Sequence, residues 1–552
     1  MAARNIPFSA IDDDDFRDFV RGLSAEFTVP RRTKLTELVD DMFTKMEGSV
    51  LQALKEAEFI SLTTDSATTV ASDSMNAVTA HFITKDWQLK SFLLALGQID
   101  GSHTGEMLKS VVDAVVERWR CFGKVFGIAT DGAANIIKAV KELQKDDVIE
   151  EGQRCVCHNM HLVVCAALDD PDAKPLVTKA RAIANLFKNS QIFRDALSKA
   201  QRDRYVAQQA AAPLEEVERA LDALGDIILE QTSAPRPKKA LMDCVTRWWS
   251  CWRMLVRLCE IREDISNIMN STGKNADNLT DSQWQDLALM CKILRPFADV
   301  IKGWEGEKYV TLSRVWPFAW SLQQALEKNL LNGTNIKAAD RLPSWSTVTQ
   351  AKFPASYALR RALRSELAKE DRFGRISLVM KLATALDPRT KDLDTFGDEQ
   401  LDLIRDALID AVQGLLPPSS PEAEGGDEEE EEVEGEEENP VGILDALLTA
   451  QKKKRRRAKK SSSSVEDEVA RYLEEDSTDD PDPLHWWKQK EYLFPRIARL
   501  ARKYLALPAS SAPSERIFSK MNAVVDKRRA SLDSDRVERL VFIKENKAKV
   551  SL

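Results

Sequence analysis

The 552-residue chain is 43% hydrophobic and 30% charged, a globular balance that excludes a wholly disordered or fibrous protein and, at roughly 150 residues per domain, predicts three or four units. Its net charge of −9 is unevenly spread: Glu422–Glu438 holds twelve acids and no base, Lys452–Lys460 holds eight bases, and the chain without both runs sums to −5. The eight cysteines are too sparse for a disulfide framework and fit a reducing compartment, and with no secretory h-region and no run of ~18 apolar residues the chain is expected to be soluble and intracellular, with no membrane partner.

Residues 1–57 read as helical, because apolar side chains recur at three and four in Leu35–Phe43 and Val50–Ala57. From Phe59 the texture changes: Phe59–Asp65, Ala77–Ile83 and Lys90–Leu96 are short β-branched, aromatic or aliphatic runs between polar turns, which predicts three strands in a meander. Helical periodicity returns over Thr104–Arg120 with Thr104 as N-cap. Val125–Asp131 is a fourth strand, followed by helices over 133–144 and 159–167. That order predicts an α/β fold whose sheet mixes antiparallel and parallel pairs.

From about Lys179 to Ala411 only helical patterns occur. Pro417–Pro440 and Gln451–Ser464 are low-complexity stretches of like charge with too little apolar surface to offset chain entropy, and disorder is expected there. The last ordered unit starts near Pro483, is helical through Leu505, turns at Leu507–Pro513 and is helical again from Ser514 to Lys549.

Asp65 and Asp131 each close a predicted strand, at the edge where α/β folds bind ligands. Two such carboxylates on neighbouring strands repel unless a cation lies between them, although Asp-Ser and Asp-Gly are also ordinary turn pairs. Glu515 falls in the first turn of a helix capped by Ser511 or Ser514, where a carboxylate suits the dipole. Cys155, Cys157, His158 and His161 are compressed into seven residues, and the adjacent Cys157 and His158 point apart on a helix, so structural zinc is not expected. Arg247 beside Trp248 suits a phosphate and a stacked base, or a core anchor; Trp249 and Trp252 read as core. Lys452, Lys453, Lys454, Arg455, Arg456, Arg457, Lys459 and Lys460 form a nuclear-import-type signal.

Asp65, Asp131 and the Ser-Glu-Arg-Ile-Phe-Ser box at Ser514–Ser519 resemble the acidic triad of the hAT superfamily of cut-and-paste DNA transposases. Further boxes follow in the family's order: Val78–Ile83, Asp86–Lys90, Gly101–Glu106, Thr130–Asn135, Arg154–His161, Thr246–Ser250, Ala385–Arg389 and a tail from Trp486 to Asn546. The resemblance implies an RNase H-like α/β core interrupted by a large all-α insertion, with a C-terminal helical dimerisation region. It also implies Asp65, Asp131 and Glu515 as catalytic and metal-binding residues for two Mg²⁺ or Mn²⁺ ions, Cys155 and His158 as active-site supports, and Arg247 and Trp248 as DNA contacts. Asp65 and Glu515 must then meet in space.

Two departures stand out. Ala67 occupies the position where the family usually has tryptophan, and no Cys-x-x-Cys with a downstream His pair, the mark of a BED finger, precedes Asp65. The expected organisation is a helical segment at 1–57, the first part of the core at 58–178, the all-α insertion at 179–416, a disordered acidic and basic linker at 417–482, and core completion with dimerisation at 483–552. The expected function is metal-dependent DNA strand cleavage and transfer by a nuclear transposase or transposase-derived protein, acting on DNA as a homodimer or higher oligomer. The alternative is an inactive domesticated nuclear protein that dimerises and binds DNA or chromatin.

Overall fold

The computed structural model describes residues 8–23, 28–68, 74–99, 104–210, 236–244, 248–328, 344–392, 397–415, 464–525 and 533–550. Arg247, the acidic tract and the basic run 452–460 lie outside them.

After α1 (Asp14–Leu23), the two periodic stretches of the N-terminal segment fuse into one helix, α2 (Arg32–Glu56). Its buried residues Val39, Phe43, Met46, Val50 and Leu54 keep the three-and-four spacing of a single apolar stripe. The sheet follows: β1 (Ile60–Thr68), β2 (Ser74–Ile83) and β3 (Leu89–Gln98), then α3 (Gly105–Arg118), β4 (Val125–Thr130), α4 (Ala134–Lys145) and β5 (Glu151–Arg154). The strand order is β3-β2-β1-β4-β5. β1–β2 and β2–β3 are antiparallel, while β1–β4 and β4–β5 are parallel, so the expected mixed sheet and meander hold. Thr104 caps α3, its Oγ1 accepting a hydrogen bond from Met107 N at 3.2 Å.

β5 escapes sequence reading because Glu-Gly-Gln-Arg carries no apolar run. Its glycine has a packing reason, since a Cβ on Gly152 would stand 2.4 Å from Val140 Cγ1 of α4.

A helical body comes next: α5 (Val156–Leu168), α6 (Lys174–Asn189), α7 (Gln191–Ala210), α8 (Trp248–Glu260), α9 (Arg262–Ser271), α10 (Asp281–Trp304), α11 (Val315–Lys328), α12 (Pro354–Leu367), α13 (Leu378–Leu386) and α14 (Asp398–Leu415). The expected boundary at 178/179 falls inside α6. The C-terminal part is α15 (Val465–Glu474), α16 (Pro483–Lys490), α17 (Pro495–Leu505), α18 (Ala512–Val524) and α19 (Ser534–Asn546).

α15 corrects the linker expected at 417–482, because its last part, residues 464–482, is structured. Ser464 and Asp467 form a capping box, Tyr472 is fully buried and donates to Ala385 O at 2.8 Å, and Glu468 accepts the amides of Arg496 and Ile497 at the start of α17. The short stripe Val465, Val469, Tyr472 was hidden between a serine run and an acidic turn.

Two hydrophobic cores result. One joins the sheet with α2, α3, α18 and α19; the other runs without a break from α5 through the helical body into α16 and α17, ending at Ala509. They meet at the loop 506–511. Val156 N donates to Ala509 O at 3.0 Å, Ala509 N to Thr311 Oγ1 at 3.0 Å, and Ser510 Oγ to Trp304 O at 3.2 Å. The segment that leads to Glu515 is thus fixed by the sheet side and the helical body together.

Candidate active site

β1 runs three residues past Asp65, so this aspartate sits within the strand, opposite Ala77, rather than closing it. Asp131 follows β4 directly. Thr63 and Ala129 are partners in the parallel β1–β4 pair, and each aspartate lies two residues beyond its partner, which brings both to one cavity. That cavity, about 340 Å³, is lined by both carboxylates together with Ala67, Asn76 and Asn135. Asp131 Oδ1 also accepts Ala133 N at 3.2 Å and so opens α4 as a turn residue would; the turn role and the cavity position coexist.

Glu515 arrives from the other end of the chain. Its amide bonds to Ser511 O at 3.2 Å in the first turn of α18. The preceding Ser514 shares a 2.5 Å hydrogen bond with Thr63 Oγ1, 451 positions away. Thr63 also bonds Thr79 at 2.6 Å, and Thr79 bonds His81 Nε2 at 2.8 Å. Thr63, Thr79, His81 and Ser514 are all buried, so this hydroxyl chain pins the base of α18 to the sheet two residues before Asp65. On the far side Arg516 pairs with Glu307 at 3.0 Å and bonds Glu305 O, tying the same turn to the helical body.

Burial, then the Glu515 carboxylate and, to a lesser degree, Asp131 push Asp65 well above the usual carboxylate range, against a hydrogen bond from Ser66 N at 2.9 Å. Carboxylate oxygens are the donors that hard divalent ions prefer; Asp65 and Asp131 share one cavity, and Glu515 lines a second. Among the described residues no three His, Cys, Asp or Glu side chains are grouped so as to hold a metal ion; the second cavity, of about 530 Å³, is shared by Glu515 with His158, His161, Trp248, Trp249 and Arg516.

Cys155 is buried at the N-cap of α5, and its N donates to Thr130 O at 2.7 Å. Hydrogen bonds from Cys157 and then Ser511 bring its thiol down to about 7 against the opposing effect of burial, whereas Cys157 is pushed well up. His158 lies against the second aspartate's loop, for a Cβ on Gly132 would be 3.5 Å from His158 Cδ2. Both expected support residues therefore adjoin the acidic residues. Trp248 is buried, 2% exposed, while Trp249, expected in the core, is half-buried on the second cavity with Arg253 over its ring at 5.6 Å. Sequence reading passed over the Thr63–Thr79–His81 chain; its signal is three polar residues at alternate positions in strands otherwise built for burial.

Residues 468–547 match the model of the hAT family C-terminal dimerisation region, 63–156 that of the ZBED1 RNase-like domain, and 224–309 that of the FAM200/GTF2IRD2 helical domain. The first carries Glu515 and the second both aspartates. The chain is 22% identical to the "Putative AC transposase" of Zea mays over 98% of its own length and 63% of that protein's. It is 23% identical to the zinc finger BED domain-containing protein 4 of Homo sapiens over 98% of its length and 42% of that protein's. With RICESLEEPER 2 of Oryza sativa subsp. japonica it shares 22% identity over 98% and 72%. The chain thus spans 63% of the maize transposase it matches. Among the described residues no helix is long and apolar enough to cross a membrane. With an hAT dimerisation region at its C-terminal end and similarity along nearly its whole length to AC transposases and BED zinc-finger proteins, the chain is a relative of the hAT transposases.

Proposed function

We propose that the protein is an hAT-type DDE transposase, or a nuclear protein derived from one, that cleaves and transfers DNA strands at Asp65, Asp131 and Glu515. The observation that carries this reading is the Thr63–Ser514 bond, which anchors the turn bearing Glu515 beside the strand bearing Asp65, while Asp131 shares the cavity of Asp65. The sheet order, a meander followed by two parallel pairs, supports an RNase H-like core.

The three carboxylates would hold Mg²⁺ or Mn²⁺, which when bound supplies an activated water or 3′-hydroxyl and stabilises the leaving oxygen at a phosphodiester. The residues of the chain do the rest. Asp65 and Asp131 are positioned by the strand pairing, Glu515 by Ser514 and Arg516 on either side of it. Cys155 and His158 hold the loops that carry Asp131 and Glu515. Trp249 offers an aromatic face on the cavity of Glu515, and Arg247 precedes the same helix. Dimerisation through the C-terminal region and import by Lys452–Lys460 complete the reading. A second reading, a dimerising DNA-binding protein without catalysis, is favoured by Glu515 facing its own cavity, with no three metal-binding side chains grouped among the described residues.

Purified protein incubated with Mn²⁺ and nicked or hairpin-forming DNA, beside Asp131→Asn, separates the two. Cleavage by the parent and not the variant is expected; equal background cleavage by both sinks the catalytic reading.

A further inference from the structure

At the end of the sheet remote from Asp65 a larger cleft, about 900 Å³, opens between α2, the β2–β3 hairpin and the C-terminal turn. Lys45 of α2, Lys85 and Lys90 of the hairpin and Lys549 line it, with two acids, Glu56 and Asp86. Lys549 is paired with Glu545 at 2.5 Å, and Glu56 accepts the Gln52 amide at 2.7 Å. The side chains of Lys45, Lys85 and Lys90 have no ion-pair partner among the described residues, although most cations around them do. Arg502, Arg499 and Lys503, on the adjoining α17, each hold a carboxylate.

The rim of the cleft is braced by contacts to the C-terminal helices. Trp87, at the hairpin tip, has a φ of 61°, a conformation a bulky side chain rarely adopts. It is held there by stacking on Trp487 at 5.6 Å, by Arg502 over its ring at 4.1 Å and by a 2.7 Å bond from its Nε1 to Glu491. Arg502 also donates to Lys85 O at 3.1 Å, so the hairpin presents its lysines in a fixed place.

Gly48 is the second observation. It sits in the interior of α2, is exposed and lines the cleft. A Cβ there would meet nothing within 4 Å. Neither packing nor backbone conformation asks for glycine, yet glycine weakens a helix interior. What a bare backbone provides at this point is room for something outside the chain to lie close against α2.

We propose that this cleft holds the phosphodiester backbone of DNA, with Lys45, Lys85 and Lys90 on phosphates and the strand passing over Gly48. The proposal rests on the reading of the chain as a DNA-handling protein and adds a contact apart from the acidic site. The α2 face from Lys45 to Glu56 is ~16 Å long, the length of about five phosphates of one strand at ~3.4 Å each. A small anion would need its cations gathered at one point; here they are spread along a helix and a hairpin. From Ala77, opposite Asp65, to Phe82 at the cleft, β2 covers ~17 Å, so DNA held here flanks the duplex segment at the acids.

The test is an anisotropy titration of the full chain with a labelled mixed-sequence duplex across a salt series, for the parent, Lys45→Ala/Lys85→Ala/Lys90→Ala, and Gly48→Gln. The triple variant is expected to bind at least about tenfold more weakly at low salt, with the slope of log K against log salt reduced by about 2–3. Gly48→Gln is expected to weaken binding several-fold without lowering the melting temperature, a split that a purely structural glycine would not give. If the parent binds no duplex, this proposal and the DNA reading fail together. If the parent binds and the triple variant is unchanged, the cleft proposal alone fails. Loss of tripolyphosphate binding with duplex binding intact makes the cleft a small-anion site and overturns it, as does a Gly48→Gln variant that melts lower and binds normally.

Discussion

Asp387 in the helical body is fully buried and Asp65 in the sheet is half-buried on a cavity, and their surroundings are opposite. Asp387, 0% exposed, is saturated by its own chain: Ser313 Oγ at 2.5 Å, and from Arg389 the amide at 3.0 Å, Nε at 2.9 Å and Nη2 at 2.6 Å. The box around it fastens the returning C-terminal part, since Trp487 Nε1 bonds Leu386 O, Thr478 N bonds Pro388 O and Arg389 bonds Pro481 O. Among the described residues the Asp65 carboxylate receives one donor, and the charges of Glu515 and Asp131 raise it. A buried acid that serves the fold is given donors; one left opposite like charges is arranged for something the chain does not supply.

The largest effect expected from this contrast is at Asp387. Asp387→Ala leaves the Arg389 guanidinium, itself 10% exposed, without its bidentate partner, and breaking a buried pair from one side costs about 3–5 kcal/mol. Urea unfolding followed by the fluorescence of the Trp486–Trp487 region reads the loss directly. A cost under about 1 kcal/mol would mean that the box does not fasten the C-terminal helices, and the contrast with Asp65 would collapse.

His81 shows a third treatment of a buried titratable group, in which the chain keeps it neutral. Burial, with Lys549 and Arg516 adding repulsion, lowers it to about 3. The folded state therefore binds no proton at His81 where the unfolded chain does, so stability is lost as pH falls from about 6.5 toward 3. By pH 5 the loss is roughly 2 kcal/mol. His81→Gln, which keeps a polar partner for Thr79, should flatten that part of the stability–pH curve; an unchanged slope would show that the histidine stays open to water.

Much of this was legible in the sequence. The strands, the mixed sheet and the capped α3 follow from periodicity and turn chemistry, and Asp131 from its place directly after β4, whereas Asp65 proved to lie inside a strand longer than its apolar run. What the sequence could not supply was the meeting of elements remote in the chain. Nothing in Ser514 or Thr63 alone says that they bond, and nothing in the Trp248-Trp249 pair says that both border the cavity of Glu515, one buried and one half-buried. α15 was missed because three apolar residues set in an acidic, serine-rich stretch become a core element only once Ala385 and α17 are there to receive them. β5 was missed because a strand held by ladder bonds on one parallel neighbour needs little apolar patterning of its own.

The smallest effect is expected at Asp65, and its sign is the opposite of that at Asp387. A carboxyl raised in the fold counts against stability once the pH exceeds its unfolded value of ~3.9, because ionisation then sets it against Glu515 and Asp131. Asp65→Asn removes that repulsion and keeps the shape and the acceptor for Ser66 N, so at neutral pH the variant should be as stable as the parent or up to about 1 kcal/mol more so. The same change removes a ligand: millimolar Mn²⁺ should raise the melting temperature of the parent, because binding to the folded state alone stabilises it, and leave the variant where it was. A melting curve for each protein with and without Mn²⁺ measures both effects. If Asp65→Asn instead destabilises as Asp387→Ala does, then Asp65 belongs with the acids that hold the fold, and the assignment of the three carboxylates to a cation loses its physical ground.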